Sequence, residues 1–240
     1  LGFADGPALV AALPKEALAS IVSYHVLPAR RSAAELAAGS ATQATIYSFD
    51  GSPASFTLNS SNGVRITDAV LTQATVTGAD VAATNGVVHI VDKVLVPPGV
   101  LNVVQMAQAN PDAFSSLVGA VATAGLATTL SGPGPFTVFA PTNAAFAGAP
   151  TGLTPSQLAT VLTYHVLDLV PAVLSSAIPF GTPVTTVAGQ DITINAGTAP
   201  VIATIIDTTA TPATISAVDV RASNGVIHVI DKVLIPSLGS

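Results

Sequence analysis

The chain has 240 residues, a net charge of -6 and only 8% charged side chains, although half of its residues are apolar. Its seven Lys and Arg residues are scattered, which excludes the clustered cationic face that grips a nucleic-acid backbone. The lack of cysteine excludes disulfides, thiol nucleophiles and thiolate metal sites, and the lack of tryptophan argues against a stacking platform for bases or sugars.

In chain order, a helix is expected from about Pro14 to His25, followed by strand-like runs at Ala44 to Phe49, Phe56 to Leu58, Val64 to Thr67, Val70 to Val76 and Val87 to Val94. Asn59-Ser60-Ser61 is an acceptor sequon for N-glycosylation. Asn85-Gly86, ahead of the last run, offers the pair that tolerates a left-handed turn.

The pattern then returns to helix. Pro111 and Asp112 after Asn110 mark a helix start, and Phe114, Leu117, Val118 and Val121 place four apolar side chains on one helical face. Ser131 to Pro135 break that helix, and Phe136-Thr137-Val138-Phe139 reads as a short strand stopped by Pro141. Thr154-Pro155-Ser156-Gln157 is a capping box for a helix carrying Leu158, Val161, Leu162 and His165. Thr185 to Val187 and Ile192 to Ile194 flank a hairpin turn, and Val201 to Ile206, Thr214 to Val220 and Val226 to Val233 add three more strands. No apolar run approaches the roughly 20 residues that a membrane-spanning helix needs.

Two phrases in this text occur twice. Leu18 to Leu27, with Tyr24-His25, returns 140 residues later as Leu158 to Leu167, with Tyr164-His165. Asn85 to Pro97 returns 139 residues later as Asn224 to Pro236. Two distant segments keeping nearly one offset indicate a tandem of one domain type, and the spacing is domain-sized, which excludes a solenoid. Each copy places helices before a mainly antiparallel sheet system, an α+β order, with the domains at residues 1–98 and 99–240. Aligning Phe3-Ala4 with Phe146-Ala147 leaves the first copy with nothing to match the stretch from Leu101 to Ala145. The first domain is therefore expected to be completed by residues preceding Leu1 or by a partner, and Leu1 to follow a removed leader or to lie inside a longer chain.

Phe136-Thr137-Val138-Phe139-Ala140-Pro141-Thr142-Asn143-Ala144-Ala145-Phe146, then Tyr164-His165, then Asn224 to Leu234 resembles the fasciclin I type domain, whose first homology box, Tyr-His motif and second homology box come in that order. The first copy resembles it from Tyr24-His25 onward. The resemblance implies a wedge-like pair of β-sheets with packed helices, secretion or surface anchoring, and adhesion or matrix contact through protein or glycan partners without a cofactor or catalysis. Periplasmic and lumenal placements suit the same composition. The resemblance also makes Tyr24, His25, Tyr164 and His165 the candidate adhesion motif, whereas the acidic short motifs of animal members have no counterpart here.

The same four residues also suit a structural role, because a buried phenol and imidazole at a helix end can tie the helix to a neighbouring loop. No catalytic residue and no metal ligand is assigned: the only glutamates, Glu16 and Glu35, have no second-copy equivalents, and the repeated Asp80/Asp219 and Asp92/Asp231 suit backbone capping in turns. The apolar excess leaves two alternative readings beside adhesion. One is an apolar ligand of the carotenoid type, which a few fasciclin-like proteins carry. The other is an exported or lumenal subunit docked on a larger complex.

Overall fold

The computed structural model describes residues 6–61, 63–199 and 201–238. The chain divides into two compact units, Leu1–Val100 and Leu101–Ser240. The proposed alignment of Phe3-Ala4 lies outside the described residues.

The first unit opens with helices α1 (Gly6–Ala12), α2 (Lys15–Tyr24) and α3 (Ala33–Ala38). Helix α2 buries Ile21 and Tyr24. Helix α3 starts from a capping box in which the Ser32 side chain and Glu35 satisfy each other's backbone N–H. Five antiparallel strands follow and pair in sequence order: β1 (Thr42–Phe49), β2 (Ser52–Asn59), β3 (Arg65–Thr67), β4 (Gln73–Ala83) and β5 (Gly86–Val91). Tyr24, Ala54, Phe56, Ile66, Ala74 and Leu95 form the core.

The second unit begins with α4 (Val103–Ala109), α5 (Pro111–Thr123) and α6 (Ala127–Ser131). The next elements are β6 (Phe136–Pro141), α7 (Asn143–Phe146), α8 (Pro155–Thr163), β7 (Val166–Asp168) and a 3-10 turn at Ser175–Ala177. Strands β8 (Pro183–Thr185), β9 (Asp191–Ala196), β10 (Ala203–Ile206), β11 (Ala213–Ala222) and β12 (Gly225–Ile230) complete a seven-stranded sheet of order β7-β6-β12-β11-β10-β9-β8. The pairing is antiparallel except between β12 and β6, which run parallel from Gly225 opposite Phe136 to Ile230 opposite Pro141. Each unit is thus an α+β domain in which most of the sheet follows the helices, with β6 of the second unit lying between α6 and α7. The short helices α1, α3, α4, α6 and α7 and strand β7 lie below the length at which periodicity is readable.

The long strand bends at the same places in both units. Register shifts fall between Val76 and Gly78 and between Gly78 and Val81 in β4, and between Ile215, Ala217 and Val220 in β11. Each of these positions differs by the same 139 residues as the repeated phrase. Asp80 and Asp219 sit at the second bulge with φ of 57° and 59°. A bulge bends and twists its strand, so one half of β4 pairs with β3 while the other pairs with β5, and β11 divides likewise between β10 and β12.

The Asn-Gly pair behaves differently from the expected left-handed turn. Neither Asn85, Gly86, Asn224 nor Gly225 has positive φ. Glycine is needed at 225 for another reason: a Cβ there would run into the Phe136 backbone, because β6 passes closely alongside. A Cβ at Gly86 would meet nothing within 4 Å.

This contrast predicts opposite outcomes for one substitution. Gly225→Ala should destabilise the second unit by about 2–3 kcal/mol through forced separation of β6 and β12, whereas Gly86→Ala should stay within about 0.5 kcal/mol or stabilise slightly. Urea unfolding of the two variants beside the parent checks this, and equal losses would refute the steric account.

Candidate functional site

The repeated Tyr-His pairs form the most elaborate polar arrangement in each unit. Helix α8 ends at Thr163, and the His165 N–H turns back to Leu162 O, which leaves Val161 O without its usual helical donor. His165 Nδ1 fills that vacancy at 2.7 Å, and Nε2 accepts the Leu234 N–H at 2.8 Å just beyond β12. His25 repeats both bonds, from Nδ1 to Ile21 O at 2.7 Å and from the Leu95 N–H to Nε2 at 2.9 Å. A backbone N–H can only donate, so Nε2 is the acceptor and Nδ1 carries the proton. Each imidazole thus bridges a helix end and the segment leaving the last strand.

The neighbouring phenols lock the other side of the helix to the sheet. Tyr24 Oη donates to Ser55 O and Tyr164 Oη to Asp191 O, each at 2.8 Å. Both tyrosines are fully buried. Burial pushes the Tyr164 phenol up to about 12, helped by the Asp207 and Asp191 charges, and raises Tyr24 as well, with Asp68 adding to the effect. Tyr24 also packs edge-on against Tyr47 and Phe56, with ring centroids 6.3 and 6.1 Å apart. Of the four residues in the candidate adhesion motif, Tyr24, Tyr164 and His165 are buried and His25 is exposed.

The second pair of histidines uses the opposite tautomer. His228 Nε2 donates to Val173 O at 2.9 Å, while Nδ1 faces the Asp219 N–H at 3.5 Å. His89 Nε2 donates to Arg31 O at 2.9 Å, with the Asp80 N–H 3.4 Å from Nδ1. The bulge aspartates extend the same tie: Asp219 accepts the Ser175 N–H at 2.8 Å together with the Ser175 hydroxyl, and Asp80 accepts the Ala33 N–H at 2.9 Å. Asp92 and Asp231 cap the Thr75 and Thr214 N–H groups, each at 2.6 Å. His228 also stacks on Phe139 of β6, with centroids 5.7 Å apart.

A further repeated pair, Asp68 and Asp207, escaped the sequence reading although it keeps the same 139-residue spacing. Asp68 accepts N–H bonds from Val70, Thr72 and Val96, as well as the Thr72 hydroxyl. Burial raises its carboxyl more than these bonds lower it. At Asp207 burial also acts upward, but the Thr209 hydroxyl, Lys232 Nζ at 2.9 Å and the Ile235 N–H outweigh it and hold the carboxyl below its ordinary range. Asn224 was legible only as a turn residue. Its side chain in fact accepts the Val103 N–H at 2.9 Å and donates to Leu130 O and Gly132 O, gathering the start of α4 and the end of α6, while its backbone carbonyl accepts the Phe136 N–H at the start of β6.

Chemically, this network joins backbone to backbone. Among the described residues, no group of three or more His, Cys, Asp or Glu side chains is placed to hold a metal ion. Asn59 ends β2 in an exposed position, and its Oδ1 accepts the Ser61 N–H and hydroxyl at 3.0 and 2.7 Å.

Burial pushes the His165 imidazole down to about 4, with bonding to Val161 and the Asp207 charge opposing that shift. The unfolded chain, with His near 6.5, then binds more protons than the folded chain between those two values. Stability should fall as pH drops from about 6.5 towards 4, by up to roughly 3 kcal/mol from this group. His228, also lowered by burial, adds to the slope in the same direction. His165→Gln should unfold at lower urea at pH 7 and show a distinctly shallower loss between pH 6.5 and 4.5. An unchanged pH dependence of urea unfolding would remove His165 from this role.

The fasciclin domain matches the chain twice, at residues 4–97 and 112–236. Protein sll1483 of Synechocystis is 40% identical over 146 residues, covering 58% of this chain and 75% of its own length. Transforming growth factor-beta-induced protein ig-h3 of Sus scrofa is 39% identical over 164 residues, covering 66% of this chain but only 22% of its own length. In fold, the chain is similar to the FAS1 domain pair from the insect cell adhesion molecule fasciclin I, with a TM-score of 0.52 over 92% of this chain and 79% of that one at 22% identity. The two domain matches take in most of the sequence and contain both Tyr-His pairs and both bulged strands, so the chain belongs to the fasciclin domain family.

Proposed function

We propose that this chain is a non-enzymatic adhesion or matrix-contact protein, exported to the cell surface or secreted, that meets protein or glycan partners through its exposed faces. The observation that carries this reading is that the repeated side chains able to do chemistry are committed to internal backbone bonds. His165 and His228 are buried, and His25, His89, Asp80, Asp92, Asp219 and Asp231 each hold an N–H or C=O of a neighbouring segment. Family membership supports it, as does the fold shared with a domain pair from an insect cell adhesion molecule. No described helix is long and apolar enough to cross a membrane.

In this reading Tyr24, His25, Tyr164 and His165 hold the two frames, and contact falls to the weakly charged surface. That surface exposes large apolar side chains, including Val22, Ile46, Val170 and Phe180. Asn59 serves as a glycan acceptor where the chain passes a glycosylating export route. The apolar cavity between α5 and β6 holds about 40 Å³ and gives no room to a long apolar ligand.

The test is a plate assay. Immobilised chain should hold cells or matrix extract well above an albumin-coated control, and His25→Ala should leave that retention unchanged. Retention no greater than on albumin would sink the adhesion reading. Visible absorbance in the purified native protein would favour a pigment carrier instead.

A further inference from the structure

A cavity of about 210 Å³ lies within the second unit, between the loop joining α7 to α8, helix α8 itself and the segment leaving β12. Phe146, Ala149 and Leu153 wall it on the loop side, Leu158 and Leu162 on the helix side, and Val233 where the chain leaves the sheet. Ala149, Leu153 and Leu158 are half-buried, whereas Leu162 and Val233 are buried, so the cavity runs inward from the surface to the edge of the core. All of its lining residues are apolar. Water held there finds no polar side chain to bond.

The walls are braced by bonds made outside the cavity, which keeps them from folding inward. The N–H groups of Ala147, Gly148 and Ala149 turn back to the carbonyls of Ala144, Ala145 and Phe146. Gly152 takes a φ of 75°, a left-handed turn that sends the chain back towards α8. The capping box of Thr154 and Gln157 then fixes the start of that helix. At its other end His165 bonds Val161 O and the Leu234 N–H, next to Val233. Between these fixed points stands Ala149, whose methyl is too small to fill the space.

Size and lining together define what fits. An apolar cavity of roughly 150 Å³ stays dry and takes up benzene, and this one is somewhat larger. A carboxylate, phosphate or sugar would lose its water with no side-chain partner in return. A long chain would leave most of its length outside. We propose that the cavity is a binding site for a compact, uncharged apolar ligand of about one ring, and that the ligand braces the α7–α8 loop against the junction pinned by His165.

Benzene is the probe, added to the intact 240-residue chain. A titration followed in a methyl carbon-13 spectrum should saturate one-to-one and move the signals of Leu153, Leu158, Leu162 and Val233. At a free concentration about ten times Kd, benzene should raise the thermal transition of the second unit by about 3 °C and slow amide exchange at Leu234. Ala149→Phe puts a ring of its own into the space and should weaken binding about tenfold or more, with Ala149→Leu as a smaller filling variant should the ring disturb the loop. Val170→Ala alters an exposed side chain outside the cavity and should bind like the parent. The proposal is overturned by absence of saturable binding, by both Ala149 variants binding as well as the parent, or by shifts centred on Leu117, Val118 and Val121, which line the smaller cavity beside α5. Binding that leaves the thermal transition and the Leu234 amide unchanged would overturn the bracing role.

Discussion

The structure depends on an imidazole that joins a helix end to the segment leaving the last strand. A chain with so few charges has little surface electrostatics to organise its packing, and each buried backbone group must still find a partner. Neutral histidine suits this task because one ring nitrogen donates while the other accepts. At His25 and His165 the donor serves a helix-terminal carbonyl and the acceptor serves an N–H some 70 residues away. At His89 and His228 the roles of the nitrogens are exchanged, and the ring spans from the bulged strand to the loop after the Tyr-His helix. The two tautomers close a circuit running from helix through loop and bulge to the last strand and back. Protonating either ring would remove an acceptor and leave a backbone N–H facing a cation.

The bulges make that circuit fit. A straight strand would point Asp219 and Val220 along a regular ladder. The shift at Ala217 to Val220 lifts Asp219 into the left-handed region and aims its N–H at His228 and its carboxylate at Ser175. Left-handed backbone costs a non-glycine residue about 1 kcal/mol or more, and the two capped groups offset it. The Asp68 and Asp207 pair shows how one frame accommodates different electrostatics. Both carboxylates organise a turn and hold the strand exit, yet at Asp207 the Thr209 hydroxyl, with the Lys232 ammonium and two N–H bonds, turns a carboxyl that burial would raise into one held low.

Much of this was legible before any coordinates. The doubled phrases locate both Tyr-His helices and both last strands, because residues that serve a shared frame cannot drift independently. The capping box at Thr154 and the apolar stripe of Phe114, Leu117 and Val121 are local signals, and they appear as a capped helix and a buried helical face. What stayed hidden is what local periodicity does not encode. Strand β7 has three residues, and α7 has four. The parallel pairing of β6 with β12 joins segments about 90 residues apart and leaves one mark in the text, a glycine whose purpose looked like a turn. Asp207 carries no such mark for a related reason: an acid among threonines reads as a solvated turn until Lys232, just beyond the end of β12, is seen to reach it.

The two units differ in what lies beside the last strand. In the second unit, α4 packs against β12 and β6 pairs along its edge, and Ile227 and Val229 are removed from water. The first unit presents the same face to solvent, with Val88 and Ile90 beside an unpaired edge, the combination most prone to pairing with another chain. Exposed edges are usually blunted by charge, proline or a covering loop. Here β5 contains neither lysine nor proline, and its neighbours Asn85 and Gly86 favour close approach instead of obstructing it. Val88 and Ile90 keep the apolar character of Ile227 and Val229, so exposure is set by what lies beside the strand and not by the strand's own sequence.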